Sequence, residues 1–180
     1  MGVLQIKQVT RSVEDVEFDC GVSSINEFVR NSYFPTISQH AYAYSIAKDS
    51  MILGYYQILF REIEIDNFPE EISEYDSGVK DGKISAIHIR FIAVDIEYQN
   101  NGVGSAILKV IIRKVLDLSK EWPIKVITID ALPHLESWYE KEGFIKMKKV
   151  DVGIEGYEVP MCFIINNYPE ELDEYLELCS

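Results

Sequence analysis

Ile89-Arg90-Phe91-Ile92-Ala93-Val94-Asp95-Ile96-Glu97-Tyr98-Gln99-Asn100-Asn101-Gly102-Val103-Gly104 is the stretch on which the fold turns. A β-branched apolar run ends at Val94, a short polar turn follows, and Gln-x-x-Gly-x-Gly leads into an amphipathic helix starting near Val103. The N–H groups that open a helix have no partner inside it, and the helix dipole draws an anion to them. Gly102 and Gly104 carry no side chain, so the backbone can close on a pyrophosphate. The spacing is not the dinucleotide fingerprint, whose third glycine would fall at Ile107. It is not a Walker loop either, because no Gly-Lys-Ser/Thr follows. A strand-to-helix turn without a ligand would look the same.

Working outward, the pattern predicts a strand over 84–94 and a helix over 104–118, with Val103, Ile107, Val110, Ile111, Val115 and Leu118 on its apolar side. A buried strand over 124–129 and a helix over 133–142 follow, with Pro133 at the helix entry and Gly143 past its end. Strands over 144–150 and 159–165 and an acidic helix over 168–178 close the chain. Upstream, 3–9 alternates as a first strand, and 18–34 reads as one or two short helices that Ser23 or Ser24 can cap and Pro35 closes. Strands over 41–47 and 51–65 form a hairpin through Lys48-Asp49-Ser50, with a bend at Gly54. Residues 67–83, with Pro69, Gly78 and Gly82, read as a loop. No repeat or linker interrupts the chain, so residues 1–180 are expected to form one domain. The strand–loop–helix–strand centre demands a right-handed crossover between parallel strands. With antiparallel strands on either side, the class is α/β, a mixed sheet of about six to seven strands covered by helices.

Of 180 residues, 47% are hydrophobic, enough for a sizeable core. No apolar run reaches membrane-spanning length, and Met1–Ile6 enters a strand pattern directly rather than a signal peptide. Cys20, Cys162 and Cys179 are few and far apart, which fits a reducing cytoplasm, and neither they nor His40, His88 and His134 have metal-ligand spacing. The net charge of −13 disfavours broad nucleic-acid binding and suits a cationic or amine-bearing substrate. It also serves plain solubility. From Glu62 to Asp76 there are seven carboxylates and no base, and from Glu170 to Glu177 five.

A second motif narrows the ligand. Ser137-Trp138-Tyr139-Glu140-Lys141-Glu142-Gly143-Phe144 reads as a helix end, a glycine cap and a new strand. With the glycine loop about forty residues upstream, the chain resembles the GNAT acyltransferase superfamily. Its signature is a strand, Gln/Arg-x-x-Gly-x-Gly/Ala, a helix, a strand and a helix ending in Phe/Trp-Tyr-x-x-x-Gly-Phe. The resemblance implies acetyl-CoA as co-substrate, no metal, and two central parallel strands splayed to admit the pantetheine arm. It implies that backbone groups of Gln99, Asn100, Asn101, Gly102, Val103, Gly104 and Ser105 bind the pyrophosphate. It further implies that the strand segment Ile92, Ala93 and Val94 carries the pantetheine arm, with Ile92 and Val94 pairing to it like an added strand. Many relatives place Arg or Lys in this loop, where this chain has Asn100 and Asn101; Lys109 or Lys141 would have to supply any positive charge.

Acetyl transfer needs a proton donor for the departing thiolate and an acceptor for the amine's proton. The resemblance assigns the first to Tyr139, a phenol that stays protonated at neutral pH. A core tyrosine packed beneath Trp138 and Phe144 is the other reading. His88, eleven residues before Gln99 on the strand that feeds the loop, is the candidate general base, since imidazole titrates near neutrality. Some relatives have a glutamate at this place, and a buried structural histidine is the other reading here. Glu62, Glu64 and Tyr56 are fallback candidates on the substrate side. Leu132 stands where many relatives have a cofactor-contacting Asn, so that contact does not transfer, and His134 nearby reads as a surface residue.

These features point first to an N-acetyltransferase acting on a primary amine of a small molecule or peptide by direct attack in a ternary complex. The segment Phe18-Asp19-Cys20-Gly21-Val22-Ser23-Ser24-Ile25-Asn26-Glu27-Phe28-Val29 and Asp130-Ala131 are similar to the tRNA-acetylating toxin branch. That alternative brings charged tRNA and an antitoxin as partners. A non-catalytic acyl-CoA sensor is a third reading, which the motif tyrosine disfavours. Acceptor specificity is expected in the early helices and the 67–83 loop. Homodimerisation through Val159-Pro160-Met161-Cys162-Phe163 is an expectation by analogy.

Overall fold

The computed structural model describes residues 4–13, 17–70, 82–148 and 158–165. Its elements are β1 (Leu4–Gln8), α1 (Ser23–Asn31), α2 (Tyr33–Ile37), β2 (Tyr42–Lys48), β3 (Met51–Glu64), β4 (Lys83–Val94), α3 (Val103–Ser119), β5 (Val126–Ala131), α4 (Glu136–Lys141), β6 (Ile145–Lys146) and β7 (Val159–Ile164). The strands form one seven-stranded sheet in the order β1-β2-β3-β4-β5-β7-β6. β4 and β5 are parallel, β1–β2–β3 and β5–β7–β6 antiparallel. The mixed α/β sheet is therefore the one the strand–loop–helix–strand centre requires.

The chain divides into two compact units. The first gathers the described parts of 1–59 with 90–112. Val9, Ala43, Tyr55, Phe91 and Ala93 pack there against Val29, with Phe18, Ile25 and Tyr33 at the margin. Fully burying Val9, Val29 or Phe91 contributes roughly 1.5–3 kcal/mol each. The second unit gathers 60–89 with the described parts of 113–167. Phe68, Ile84, Ala86, Val126 and Cys162 form one cluster in it. Trp138, Tyr139, Phe144 and Phe163 form a chain of ring contacts at 4.6, 5.5 and 5.5 Å.

Several local expectations shift. Asp49 and Ser50 both take positive φ (50° and 70°), which gives a two-residue turn the twist an antiparallel hairpin needs. The bend at Gly54 is a bulge, since Ile46 pairs with Gly54 and Ala47 with Ile52. A Cβ on Gly54 would stand 2.5 Å from the Ala93 carbonyl and 2.9 Å from Ile107. Neither Ser23 nor Ser24 caps α1: the N-cap is Val22, with no side-chain cap. Asn26 instead ties the turn before the helix to its first turn, accepting from the Cys20 N–H at 2.9 Å and donating to Asp19 at 2.6 Å. Pro35 does not close the helical region but lies in the first turn of α2, where a missing N–H costs nothing.

The helix predicted over 133–142 opens as a 3-10 turn, Pro133–Leu135, and becomes α only at Glu136. β5 runs to Ala131, so Asp130 is a strand residue. β6 is two residues long. β7 is an interior strand, flanked by β5 and β6, rather than the free edge that dimerisation through its backbone would need. Most of the 67–83 loop, the far end of the 144–150 strand and the 168–178 helix lie outside the described residues. No helix among the described residues is long and apolar enough to cross a membrane.

Candidate active site

The cofactor-side candidates all sit in the first unit. Asp95 ends β4 and holds the turn after it. Its carboxylate accepts from the Glu97 N–H at 3.0 Å and the Asp19 N–H at 3.2 Å, while its own N–H donates to Leu53 at 3.0 Å. Since Asp95 points its backbone at β3, strand alternation turns the backbone groups of Ile92 and Val94 away from β3. Ala93 faces the other way, with its side chain in the core and its carbonyl against Gly54. The parallel ladder with β5 runs from Ala86–Val126 to Ile89–Ile129, so Ile92 and Val94 lie beyond its last rung. Val94 is nonetheless partly committed, because its carbonyl accepts from the Gln99 side-chain amide at 3.0 Å.

That amide also donates to the Cys20 carbonyl at 2.9 Å. The Gln99 side chain thus ties the loop both to the end of β4 and to the turn before α1. Asn100 (φ 61°) and Gly102 (φ 78°) take left-handed conformations, and Asn101 donates to the Gln99 carbonyl at 3.0 Å. The first bond of α3 is donated by Ala106 to Gly102, so the Val103 and Gly104 amides point out of the helix N-terminus. No basic residue lies between Gln99 and Ser105, and an anion there would be held chiefly by backbone N–H groups and the helix dipole.

The proton-handling candidates sit in the second unit. Tyr139 is 4% exposed, set edge-on between Trp138 and Phe144. Burial pushes its phenol well above the ordinary range, so it holds its proton throughout neutral pH. Gly143 ends the helix at φ 93°, with Phe163 3.1 Å from where a Cβ would stand. His88 is 7% exposed. Its Nδ1 lies 3.0 Å from Thr128 Oγ1, and its Nε2 lies 3.7 Å from Asp130 Oδ2. Arg61 Nη1 stands 4.0 Å from the same carboxylate oxygen. Thr128 was invisible as a site residue in the sequence, because its place depends on the β4–β5 register. Asp130 stood out only as part of Asp130-Ala131.

The fallback candidates separate. Tyr56 is buried in the first unit, stacked on Tyr44 at 5.0 Å, with no hydrogen-bond partner for its hydroxyl among the described residues and burial raising its pKa. Glu62 is exposed, and Glu64 makes a surface pair with Lys83 at 3.8 Å. His134 is exposed on the 3-10 turn. In the first unit, α2 and β4 border an open cavity of about 550 Å³ lined by Phe34, Pro35, Ile37, Ser38, His40, Ala41, Leu59 and Arg90. Arg90 also lies 5.1 Å above the Phe28 ring.

Residues 77–161 match the acetyltransferase (GNAT) domain family. A search of the curated proteins found no match to this chain. Among solved structures it is similar to a tyrosine-to-phenylalanine mutant of KacT, at 18% identity over 96% of this chain and 99% of that one, TM-score 0.77. AtaT complexed with acetyl-methionyl-tRNAfMet gives 19% identity over 96% and 98%, TM-score 0.73. A tyrosine-to-phenylalanine mutant of the AtaT toxin, bound to the C-terminus of the antitoxin AtaR and to acetyl-CoA, gives 20% identity over 91% and 94%, TM-score 0.67. At these identities the structures testify to the fold. The match to the acetyltransferase (GNAT) domain is a similarity over residues 77–161, within a chain whose fold these structures share.

Proposed function

We propose that the acceptor is the α-amine of an aminoacyl group on charged tRNA, and that the protein is the toxin of a toxin–antitoxin pair. The observation that carries this reading is the extent of the similarity to AtaT in its acetyl-methionyl-tRNAfMet complex. It spans 96% of this chain, including the 18–34 segment that the family domain, 77–161, does not reach. The sequence of that segment already resembled the toxin branch, and the Asp19–Cys20–Asn26 bonds give its pattern a structural purpose. This reading has more support than a small-molecule or peptide amine as acceptor. It places the reaction in the cytoplasm, brings an antitoxin as partner, and treats residues 1–180 as one acetyltransferase domain. The cavity beside α2 sets exposed Phe34 and Ile37 next to the Arg90 guanidinium, apolar surface and one positive charge that suit a base and a phosphate of the tRNA end.

In this proposal the pyrophosphate rests on the amides from Gln99 to Ser105. The pantetheine arm adds to β4 through both backbone groups of Ile92 but chiefly the N–H of Val94, whose carbonyl Gln99 already uses. His88 takes a proton from the amine, the amine attacks the thioester carbonyl, and Tyr139 protonates the leaving thiolate. Labelled acetyl-CoA incubated with a set of aminoacyl-tRNAs and a panel of free amines tests it. Label on at least one aminoacyl-tRNA is the expected result, and label only on free amines overturns it.

A further inference from the structure

Resting on the reading that the acetyl-CoA pyrophosphate lies on the 99–105 loop, we propose that Asn26 is a positioning residue for that loop, acting through the 19–21 turn and the Gln99 side chain. All of these residues belong to the first unit. Asn26 is buried at the start of α1, where its N–H donates to the Val22 carbonyl at 3.0 Å. Its side chain spans the turn before the helix. Oδ1 accepts from the Cys20 N–H at 2.9 Å, and Nδ2 donates to Asp19 Oδ1 at 2.6 Å. The same carboxylate oxygen accepts from the Gly21 N–H at 2.7 Å. The turn is then bonded to the segment after β4 at three points. The Asp19 N–H donates to Asp95 Oδ2 at 3.2 Å, the Ile96 N–H donates to the Asp19 carbonyl at 2.8 Å, and Gln99 Nε2 donates to the Cys20 carbonyl at 2.9 Å. The partners leave no choice of amide orientation. Gln99 faces two carbonyls, Cys20 and Val94, so its nitrogen must point at them; Asn26 faces a carboxylate with one end and an N–H with the other.

The composition of the loop makes this brace matter for binding. A lysine in the loop would meet a phosphate by turning its own flexible stem, but residues 99–105 contain no base. Backbone N–H groups cannot turn alone; they point at an anion only if the whole loop already has the right orientation. Asn101 bonds inside the loop, to the Gln99 carbonyl, whereas the Gln99 side chain reaches out of it, to the end of β4 and to the 19–21 turn. Cys20 is gripped at both ends, its N–H by Asn26 and its carbonyl by Gln99. A continuous line of bonds therefore runs from α1 through Asn26, Cys20 and Gln99 to the loop. Breaking one link lets the loop sample other orientations, and binding must then restrict them, which weakens affinity without removing a single contact to the ligand.

The test is a double-mutant cycle on acetyl-CoA affinity, read by calorimetric titration well below Tm. Asn26→Asp keeps the shape and the acceptor for Cys20 but sets a carboxylate against Asp19. Gln99→Met keeps the length and removes both donors. We expect each change alone to raise the Kd about tenfold, and the two together to raise it no more than about tenfold, because they cut the same line. A combined loss of about a hundredfold means that the residues act independently and overturns the brace. Adding Asp19→Asn to Asn26→Asp restores an amide–carboxylate pair with the roles exchanged, and most of the affinity should return; a swap that recovers none overturns the contact. An Asn26→Asp protein with a lowered Tm but wild-type Kd makes Asn26 a stabiliser of the turn only, and also overturns the proposal. If Asn26→Asp does not fold, Asp19→Ala cuts the same line from an exposed position, with a several-fold rise in Kd expected and an unchanged Kd against it. A wild-type protein that binds no acetyl-CoA overturns the cofactor reading instead.

Discussion

At the residue scale, Tyr139 and Gly54 show how differently two buried positions can be read. Tyr139 is wedged between Trp138 and Phe144, and phenylalanine keeps that packing while removing the hydroxyl. If it is the proton donor, Tyr139→Phe lowers kcat by about a hundredfold or more and leaves acetyl-CoA affinity and the urea midpoint nearly unchanged. Unchanged turnover would make it a core residue only. Gly54 is a steric requirement, because a Cβ would overlap the Ala93 carbonyl, which is backbone and cannot step aside. Gly54→Ala should therefore cost about 2 kcal/mol or more of stability, read as a lowered urea midpoint at constant slope. The tyrosine's motif was readable in the chain. The glycine's reason was not, since it lies in β4 and α3 rather than in its own neighbours.

At the scale of the element, the turn into α3 separates stability from binding. Gly102 takes φ 78°, yet none of the described residues stands within 4 Å of where its Cβ would be. Gly102→Ala then costs roughly 1–2 kcal/mol from backbone strain alone, a fall of a few degrees in Tm for a chain this long. Acetyl-CoA affinity, by calorimetric titration, should fall more steeply, by tenfold or more, because the new methyl group occupies the approach of the phosphates. An affinity that stays level while Tm drops would mean that the loop is a turn and nothing else. Most of this element follows from local chemistry: Asn100 and Gly102 accept left-handed backbone, and Ala106 opens the helix ladder four residues after Gly102. The Gln99 side chain was less legible, because one of its partners, Cys20, is 79 residues away.

At the scale of the whole molecule, charge and burial set how the protein answers to salt and pH. With a net charge of −13, few cations are left to meet phosphate. If charged tRNA makes only about two phosphate contacts, its affinity should fall roughly tenfold between 50 and 200 mM salt; a far steeper slope would reveal a local basic face that the net charge conceals. Burial pushes the Cys162 thiol up to about 12 and raises Cys20, Tyr55, Tyr56 and Tyr139 above their ordinary values. Their folded-state pKa values are raised, so the unfolded chain gives up these protons first. The stability they confer is full below about pH 9 and is lost as pH climbs toward 12. Urea midpoints at pH 8, 9.5 and 11 should decrease in that order.

The sequence by itself determined the order of strands and helices and the glycine-bearing turn between β4 and α3, because each rests on residues within a few positions of one another. Helix periodicity, glycine φ and unpaired first-turn amides need no distant partner. The tertiary structure alone decided what surrounds His88 and what Gln99 holds. Thr128 and Asp130 reach the histidine only because β4 and β5 are parallel in this one register, and a slip of one residue would turn them to the opposite face. Side-chain constellations of that kind are fixed by strand pairing across forty residues, a term that no local stretch of chain contains.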